Sequence, residues 1–335
     1  MHVTLRASLY RATGLSVALP GSAAPRFSVV IPLFNKERDV QRAILSVLAQ
    51  KVADFEIVVV DDGSTDGSPE RVAEIHDPRL RVIRQANAGE GAARNTGIRA
   101  ASGAFVCLLD ADDEWKPVFL DLVNGLIEKH SDAGLYAVAY EVVEPDGQCY
   151  PARIVTMPPM KEGGILSYFV SATLGAPPVW SSAVCIPRGV FDDVGYFREG
   201  VPMGADLDYW ARVALRYPIA FTPAIGAVYR RDAADRPLAS VKSRRPWVFA
   251  RTAANELRNC RDPAFARTVR TYVAKKLRED AIFSLWNGET AAARDILREM
   301  PRSPAHAKAV GLRLLALLPA PLCRLLPSRL QRWFL

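Results

Sequence analysis

The apolar run Phe27 to Leu33 is short, rich in β-branched residues and stops at Asn35-Lys36-Glu37, so it reads as a buried strand. A helix is expected from about Val40 to Gln50. The alternation then repeats: strand Glu56 to Val60, helix Pro69 to Ile75, strand Leu80 to Ile83, helix Glu90 to Ala100, strand Ala104 to Leu109, helix Pro117 to Lys129. Strands alternating with helices imply a parallel sheet covered on both faces. Such sheets bind ligands at the carboxyl ends of their strands, which directs attention to the loops there. Beyond Leu135 the order loosens. A strand to Val143, a Pro-rich loop around Pro158-Pro159 and Pro177-Pro178, a short strand Ala183 to Ile186, a helix from Asp206 to Arg216 and a strand near Phe221 to Tyr229 are expected. From Trp247 to Met300 Ala, Leu and Arg dominate, and the pattern reads as an added helical subdomain.

Three strand ends carry polar clusters. The strand Glu56 to Val60 runs into Asp61-Asp62-Gly63-Ser64-Thr65-Asp66-Gly67-Ser68. Ser68 followed by Pro69 and Glu70 reads as a helix cap, but capping does not call for two carboxylates at the end of a buried strand. The strand Ala104 to Leu109 ends in Asp110-Ala111-Asp112-Asp113, where strand alternation would send Asp110 and Asp112 to the same side. Paired carboxylates repel unless a cation or a proton relieves them, and oxygen-only ligands suit magnesium or manganese. A calcium site or an acidic helix cap is the alternative. The third cluster, Gly89-Glu90-Gly91-Ala92-Ala93-Arg94-Asn95-Thr96-Gly97, follows a dinucleotide fingerprint for five residues, but Arg94 replaces its third glycine. No G-x-x-x-x-G-K-[ST] loop is present.

These sites, in series with Ser28-Val29-Val30-Ile31-Pro32-Leu33-Phe34-Asn35, resemble family 2 of the glycosyltransferases from Phe27 to about Arg231. The resemblance implies the GT-A nucleotide-diphospho-sugar transferase fold, a Rossmann-like mixed sheet between helices. It implies that Pro32, Phe34 and Glu37 border the nucleotide and that Asp61, with Asp62 beside it, contacts the donor. It further implies that Arg94 and Asp110 hold the nucleoside and that Asp112 binds a divalent Mn or Mg ion. A further landmark of the family is an acidic pair opening a helix. Here it reads Gly204-Ala205-Asp206-Leu207-Asp208-Tyr209-Trp210-Ala211-Arg212, with alanine in place of the usual glutamate. Asp206 matches the family's general base and Asp208 is the fallback. The histidine common after the strand ending at Tyr229-Arg230-Arg231 is replaced by Asp232 and Ala233.

The implied activity is inverting transfer of a sugar from a nucleotide diphosphate sugar, a UDP-sugar first, to a hydroxyl of a saccharide or lipid-linked saccharide of the cell surface. A carboxylate can take the hydroxyl proton while a metal neutralises the leaving diphosphate. The different-class alternative, suggested by Ala205 and the absent histidine, is a catalytically idle nucleotide-sugar binding module. Trp180 and Trp210 could floor an acceptor pocket or belong to the core.

Composition adds the rest of the picture. Half of the 335 residues are hydrophobic, and the net charge of +7 is unevenly placed. Residues 241 to 335 hold 19 Lys and Arg against 7 Asp and Glu, leaving the first 240 residues net acidic. The tail lacks interleaved aromatic stacking positions, so nucleic acid is not an expected partner. Five widely spaced cysteines show no metal-ligand spacing and fit a reduced, cytoplasmic setting. Residues 1–25 contain Arg6 and Arg11, but Gly14, Ser16 and Pro20 interrupt a signal-peptide core, leaving a flexible segment as the expectation. The expected divisions are that segment, a transferase domain at 26–240 and a helical basic region at 241–335. Within the last, 303–335 combines apolar residues, basic residues and Trp333-Phe334-Leu335, as an interfacial segment on the inner face of the membrane would. Prolines and charges make it too broken to cross a bilayer.

Overall fold

The computed structural model describes residues 24–201, 204–233, 249–300, 311–312 and 314–317. Contacts divide it into two compact units, Met1–Ala234 and Asp235–Leu335. The expected boundary at 240, nearly all of the N-terminal segment and most of 303–335 lie outside the described residues.

In chain order the first unit contains β1 (Phe27–Leu33), α1 (Val40–Leu48), β2 (Phe55–Asp61), α2 (Ser68–Ala73), β3 (Leu80–Arg84), α3 (Glu90–Ala100), β4 (Phe105–Leu108), β5 (Glu114–Trp115), α4 (Phe119–Lys129) and β6 (Leu135–Val143). It continues with β7 (Cys149–Pro151), β8 (Gly164–Leu166), α5 (Tyr168–Leu174), β9 (Val184–Pro187), α6 (Arg188–Val194), α7 (Ala205–Arg216) and β10 (Ile219–Arg230). One sheet runs β3-β2-β1-β4-β9-β6-β10-β5, with β7 added to β6 and β8 to β10.

The expected parallel order holds for β1 to β4, where Leu33 lies beside Asp61 and Val30 beside Leu108. It fails at β9, which runs antiparallel to both β4 and β6. The reason is local. β9 follows a 3-10 turn at Ser181–Ala183, and its first residue, Val184, pairs with Leu108, the last of β4. A chain entering at that edge can only run back, so the sheet is mixed and the turn stands beside the carboxyl ends of β1, β2 and β4.

Burial follows the residue pattern. Val29, Val30, Ile31, Ile57, Val58, Val59 and Val60 are fully buried, as strands covered on both faces must be. α1 buries Val40, Ala43, Ile44 and Val47, a single helical stripe. α3 differs, because it buries Arg94 and Asn95 among Ala92, Ala93, Gly97 and Ile98. Small residues let it sit close on the sheet: a side chain on Gly97 would meet Val30 Cγ1 at 2.3 Å and Val60 Cγ2 at 3.2 Å. That close approach holds the polar face of α3 over the strand ends.

The second unit packs α8 (Phe249–Glu256) and α10 (Thr290–Arg298) on α9 (Pro263–Trp286). Asp262 Oδ1 accepts from the N–H groups of Ala264 and Phe265 ahead of Pro263, which starts the 24-residue α9. No helix of the described residues is long and apolar enough to cross a membrane.

Candidate active site

The loops after β1 and β2 are stitched together. Asn35 adopts a left-handed backbone with φ of 52°, where Asn is tolerated better than most residues. Its Oδ1 accepts from Thr65 N–H at 2.8 Å, and its own N–H donates to Ser64 Oγ at 3.1 Å. Lys36 N–H donates to Ser68 Oγ at 2.8 Å and Glu37 N–H to Asp66 Oδ2 at 3.1 Å. Ser68 was expected to cap α2. Instead Gly67 is the N-cap residue and Asp66 Oδ1 accepts from both the N–H and the hydroxyl of Ser68, whose oxygen accepts from Lys36 N–H and so ties the two loops.

Within this frame Phe34 and Glu37 are exposed, at 45% and 44%, on the rim beside Pro32. Asp61 is buried. Its Oδ1 accepts from Ser64 N–H at 2.9 Å, while Oδ2 has no hydrogen-bond donor and only an ion pair to Arg84 Nε at 3.3 Å. Asp62 is fully engaged. It accepts from Gln85 Nε2 at 2.7 Å, Ala88 N–H at 3.0 Å and Gly89 N–H at 2.8 Å, and so pins the loop that leads into α3.

Arg94 forms the centre. It is 3% exposed, its Nη2 donates to Asp110 Oδ1 at 2.7 Å and to Glu90 Oε1, and its Nε has no partner. Burial works against the guanidinium charge, but Glu90, Asp110 and Asp206 hold its pKa above the ordinary value. Glu90, one helical turn before Arg94, was overlooked in the sequence. Its side chain is 62% exposed; Arg94 draws the carboxyl down, while the charges of Asp110, Asp206 and Asp112 push it up. The pattern offered one signal for it: an acid at the first position of a helix, four residues before a buried arginine.

Alternation does not govern Asp110 and Asp112. The strand ends at Leu108, and Asp113 N–H donates to Asp110 C=O at 3.0 Å, closing a turn. The two carboxylates therefore take different partners, Asp110 with Arg94 and Asp112 with Lys36 Nζ at 2.9 Å. Lys36 was not singled out in the sequence. Asp110 N–H also donates to Ser182 Oγ, and Ser182 donates to buried Asp113 Oδ2 at 2.6 Å, which fastens the turn to the start of β9.

At the head of α7 the two aspartates separate. Asp208 is 2% exposed and its Oδ2 is shared by Arg212 Nε at 2.8 Å and Arg198 Nε at 3.1 Å, so it is tied down structurally. Asp206 belongs to the same electrostatic group as Arg94 and Asp110. Desolvation raises its pKa, opposed by Arg94 and by the Leu207 N–H and reinforced by Asp110. Trp210 is fully buried against Phe197 and Tyr209, so the acceptor-floor alternative does not apply to it. Trp180 is half-buried against Tyr140 and Tyr229, with ring centroids 4.8 and 4.6 Å away.

Among the described residues no three His, Cys, Asp or Glu side chains form a group that could hold a metal by themselves. What the site offers a cation is hard carboxylate oxygen at Asp112, with the positive charge of Lys36 beside it.

Part of the chain is similar to known proteins. Residues 28–175 fit the family described as glycosyl transferase family 2. The succinoglycan biosynthesis protein ExoO of Rhizobium meliloti is 41% identical over 127 residues, 37% of this chain and 36% of the relative. The UDP-Glc:alpha-D-GlcNAc-diphosphoundecaprenol beta-1,3-glucosyltransferase WfgD of Escherichia coli is 34% identical over 117 residues, 35% of this chain and 46% of the relative. The three curated relatives at the head of the comparison are matched over 30%, 36% and 33% of their length, so the likeness spans about a third of each. Among solved structures, Staphylococcus aureus TarS 1-349 in complex with UDP-GlcNAc superposes with a TM-score of 0.67 at 20% identity, covering 89% of this chain and 88% of that one. The mannosyltransferase PcManGT of Pyrobaculum calidifontis, in complex with GDP-Man and Mn2+, gives 0.54 at 19% identity, covering 93% and 86%. At those identities the likeness establishes the fold, which is GT-A.

Proposed function

Since residues 28–175 match glycosyl transferase family 2, we propose that the chain transfers a sugar from a nucleotide diphosphate sugar to a saccharide or lipid-linked saccharide hydroxyl, with inversion. The observation that carries this reading is the gathering of Arg94, Asp110 and Asp206 at the carboxyl ends of the parallel strands. Asp206 acts there as the base. A sugar hydroxyl is a poor nucleophile until a carboxylate within reach takes its proton, and a carboxylate with a raised pKa is the stronger base. Single displacement needs no covalent sugar intermediate, so one base on the acceptor side is sufficient.

The donor lies along the loops after β1 and β2. Pro32, Phe34 and Glu37 border it, and Asp61, whose Oδ2 accepts no hydrogen bond and has only the Arg84 ion pair, contacts the nucleotide base. Arg94 offers its free Nε, held in place by Asp110. Asp62 acts indirectly, by fixing the Gln85 to Gly89 loop. Asp112 fits a magnesium or manganese ion, which commonly takes one or two carboxylates and completes its shell with phosphate oxygens. When bound, such an ion would neutralise charge on the departing diphosphate. UDP-sugars are the first donor class to test, because TarS was crystallised with UDP-GlcNAc and WfgD carries UDP-Glc in its name. The lipid-linked acceptor class follows WfgD in the same way.

Nucleotide sugars screened with manganese for thermal stabilisation test the donor assignment. A donor at 100 times its Kd adds roughly 2.7 kcal/mol of stability. Donors that bind and are never turned over, against a broad acceptor panel, would instead support an idle binding module, the reading favoured by Ala205 standing where the family has a carboxylate.

A further inference from the structure

Asn95, the residue after Arg94, is 1% exposed. Its amide reads a backbone 102 positions away in both directions: Nδ2 donates to Phe197 C=O at 2.9 Å, and Phe197 N–H donates to Oδ1 at 2.9 Å. Nδ2 also donates to Glu199 Oε1 at 2.9 Å. A two-way bond of this kind fixes both position and orientation of the residue it holds, and in a dry setting each lost partner leaves a costly unsatisfied group. The approach is close, because a side chain on Gly91 would stand 3.0 Å from Arg198 C=O.

Phe197 in turn holds the head of α7. Its ring stacks on Tyr209 with centroids 4.4 Å apart, meets Trp210 edge-on at 5.6 Å, and lies under the Arg94 guanidinium at 5.5 Å. The next residue, Arg198, donates to Asp208 Oδ2 in the first turns of α7. α3 and the helix bearing Asp206 are thus joined through the Phe197-Arg198 segment.

We infer that Asn95 is a positioning residue for the reaction proposed above: by clamping Phe197 it sets where the Asp206 carboxylate stands relative to Arg94 and the donor. The clamp couples the donor half of the site to the acceptor half, so a donor correctly seated against Arg94 meets a base already at its working distance. Displacements of about 1 Å at such a distance cost on the order of 100-fold in rate. The inference rests on Asp206 being the base, and the test separates the two.

Asn95→Ala removes all three bonds, and Asn95→Asp retains the acceptor while placing a charge against Phe197 C=O and Glu199. Turnover is read as UDP release from UDP-glucose and UDP-N-acetylglucosamine with manganese. Both variants should lose about 10- to 100-fold while calorimetric UDP affinity stays within about twofold. In an Asp206→Asn background, Asn95→Ala should cost almost nothing more, because the base it positions is already gone. A full multiplicative loss in that background, or a fall in UDP affinity matching the fall in rate, overturns the inference. If Asp206→Asn alone keeps normal turnover, the base assignment falls. Hydrogen exchange then decides the clamp by itself. In Asn95→Ala the amides of 197–208 should exchange at least about tenfold faster while those of β1, β2 and α3 are unchanged, and unchanged exchange at 197–208 overturns the inference.

Discussion

Lys36 Nζ stands 2.9 Å from Asp112 Oδ2, with both side chains less than a fifth exposed. The carboxylate proposed to hold a divalent ion therefore already has a cation beside it, supplied by the loop after β1. A metal at Asp112 would compete with this lysine.

The first prediction follows from that competition. Lys36→Met should tighten manganese binding to the nucleotide-free protein by about fivefold, the equivalent of roughly 1 kcal/mol for a partly exposed ion pair. Calorimetry reads it directly. Unchanged affinity would mean that the ion and Lys36 do not share Asp112.

The second concerns pH. Burial holds the Asp206 pKa above its ordinary value of 3.8 despite the opposing Arg94 charge, and a base must be ionised to act. The acid limb of a kcat/KM profile should therefore lie above the usual aspartate range. Asp110→Asn removes the like charge that helps raise the Asp206 pKa, so it should move that limb to lower pH. A profile measured from pH 4 to 9 checks this, and an upward shift would contradict it.

A third prediction is structural. Burial works to raise the Glu56 pKa, but hydrogen bonds from Ser102, Ser28 and Arg81 outweigh it and lower the pKa from 4.5 to about 2. A carboxyl lowered on folding contributes stability that is present above pH 4.5 and is lost as pH falls toward 2. Glu56→Gln should hence destabilise the protein at pH 7 and progressively less as pH falls through that window. Urea unfolding at pH 7 and pH 3 measures the difference, and an equal loss at both would remove Glu56 from the acid sensitivity.

Much of this arrangement was legible in the residues because it is local. The hydrophobic period of Phe27 to Leu33 and of Val40 to Leu48 marks elements directly, and acidic groups placed at strand ends announce a site. Where the reading failed, the cause was tertiary. Alternation was applied to Asp110 and Asp112, two and four residues past the end of the strand, where a turn had taken over. The antiparallel return of β9 depends on the turn at Ser181–Ala183, whose Ser182 is bound to Asp113 across 69 positions. Asp206 and Asp208 share a helix and a charge, and only the arginines that close on Asp208 tell them apart. Lys36 and Glu90 look like surface charges until their partners are known.

The fourth prediction concerns the basic tail, which for the most part lies outside the described residues. Leu312 and Ala316 are fully buried and Ala316 C=O accepts from Arg294 Nη1 at 2.8 Å, so a chain ending at Leu317, which keeps them, should stay folded and bind nucleotide but no longer sediment with anionic liposomes. The full chain should sediment in a salt-sensitive way, since each Lys or Arg near an anionic surface contributes about 1 kcal/mol. Equal sedimentation, or unfolding of the shortened chain, would favour packing of the tail against protein.

The central claim is that Asp206, and not Asp208, removes the acceptor proton. Asp208→Asn should act on stability, because it leaves Arg198 and Arg212 facing a neutral group in a buried position. The decisive measurement is turnover of a nucleotide sugar by Asp206→Asn alongside calorimetric nucleotide affinity. The account predicts a rate lower by about 10² to 10⁴ with affinity within about twofold. Normal turnover in Asp206→Asn would contradict it.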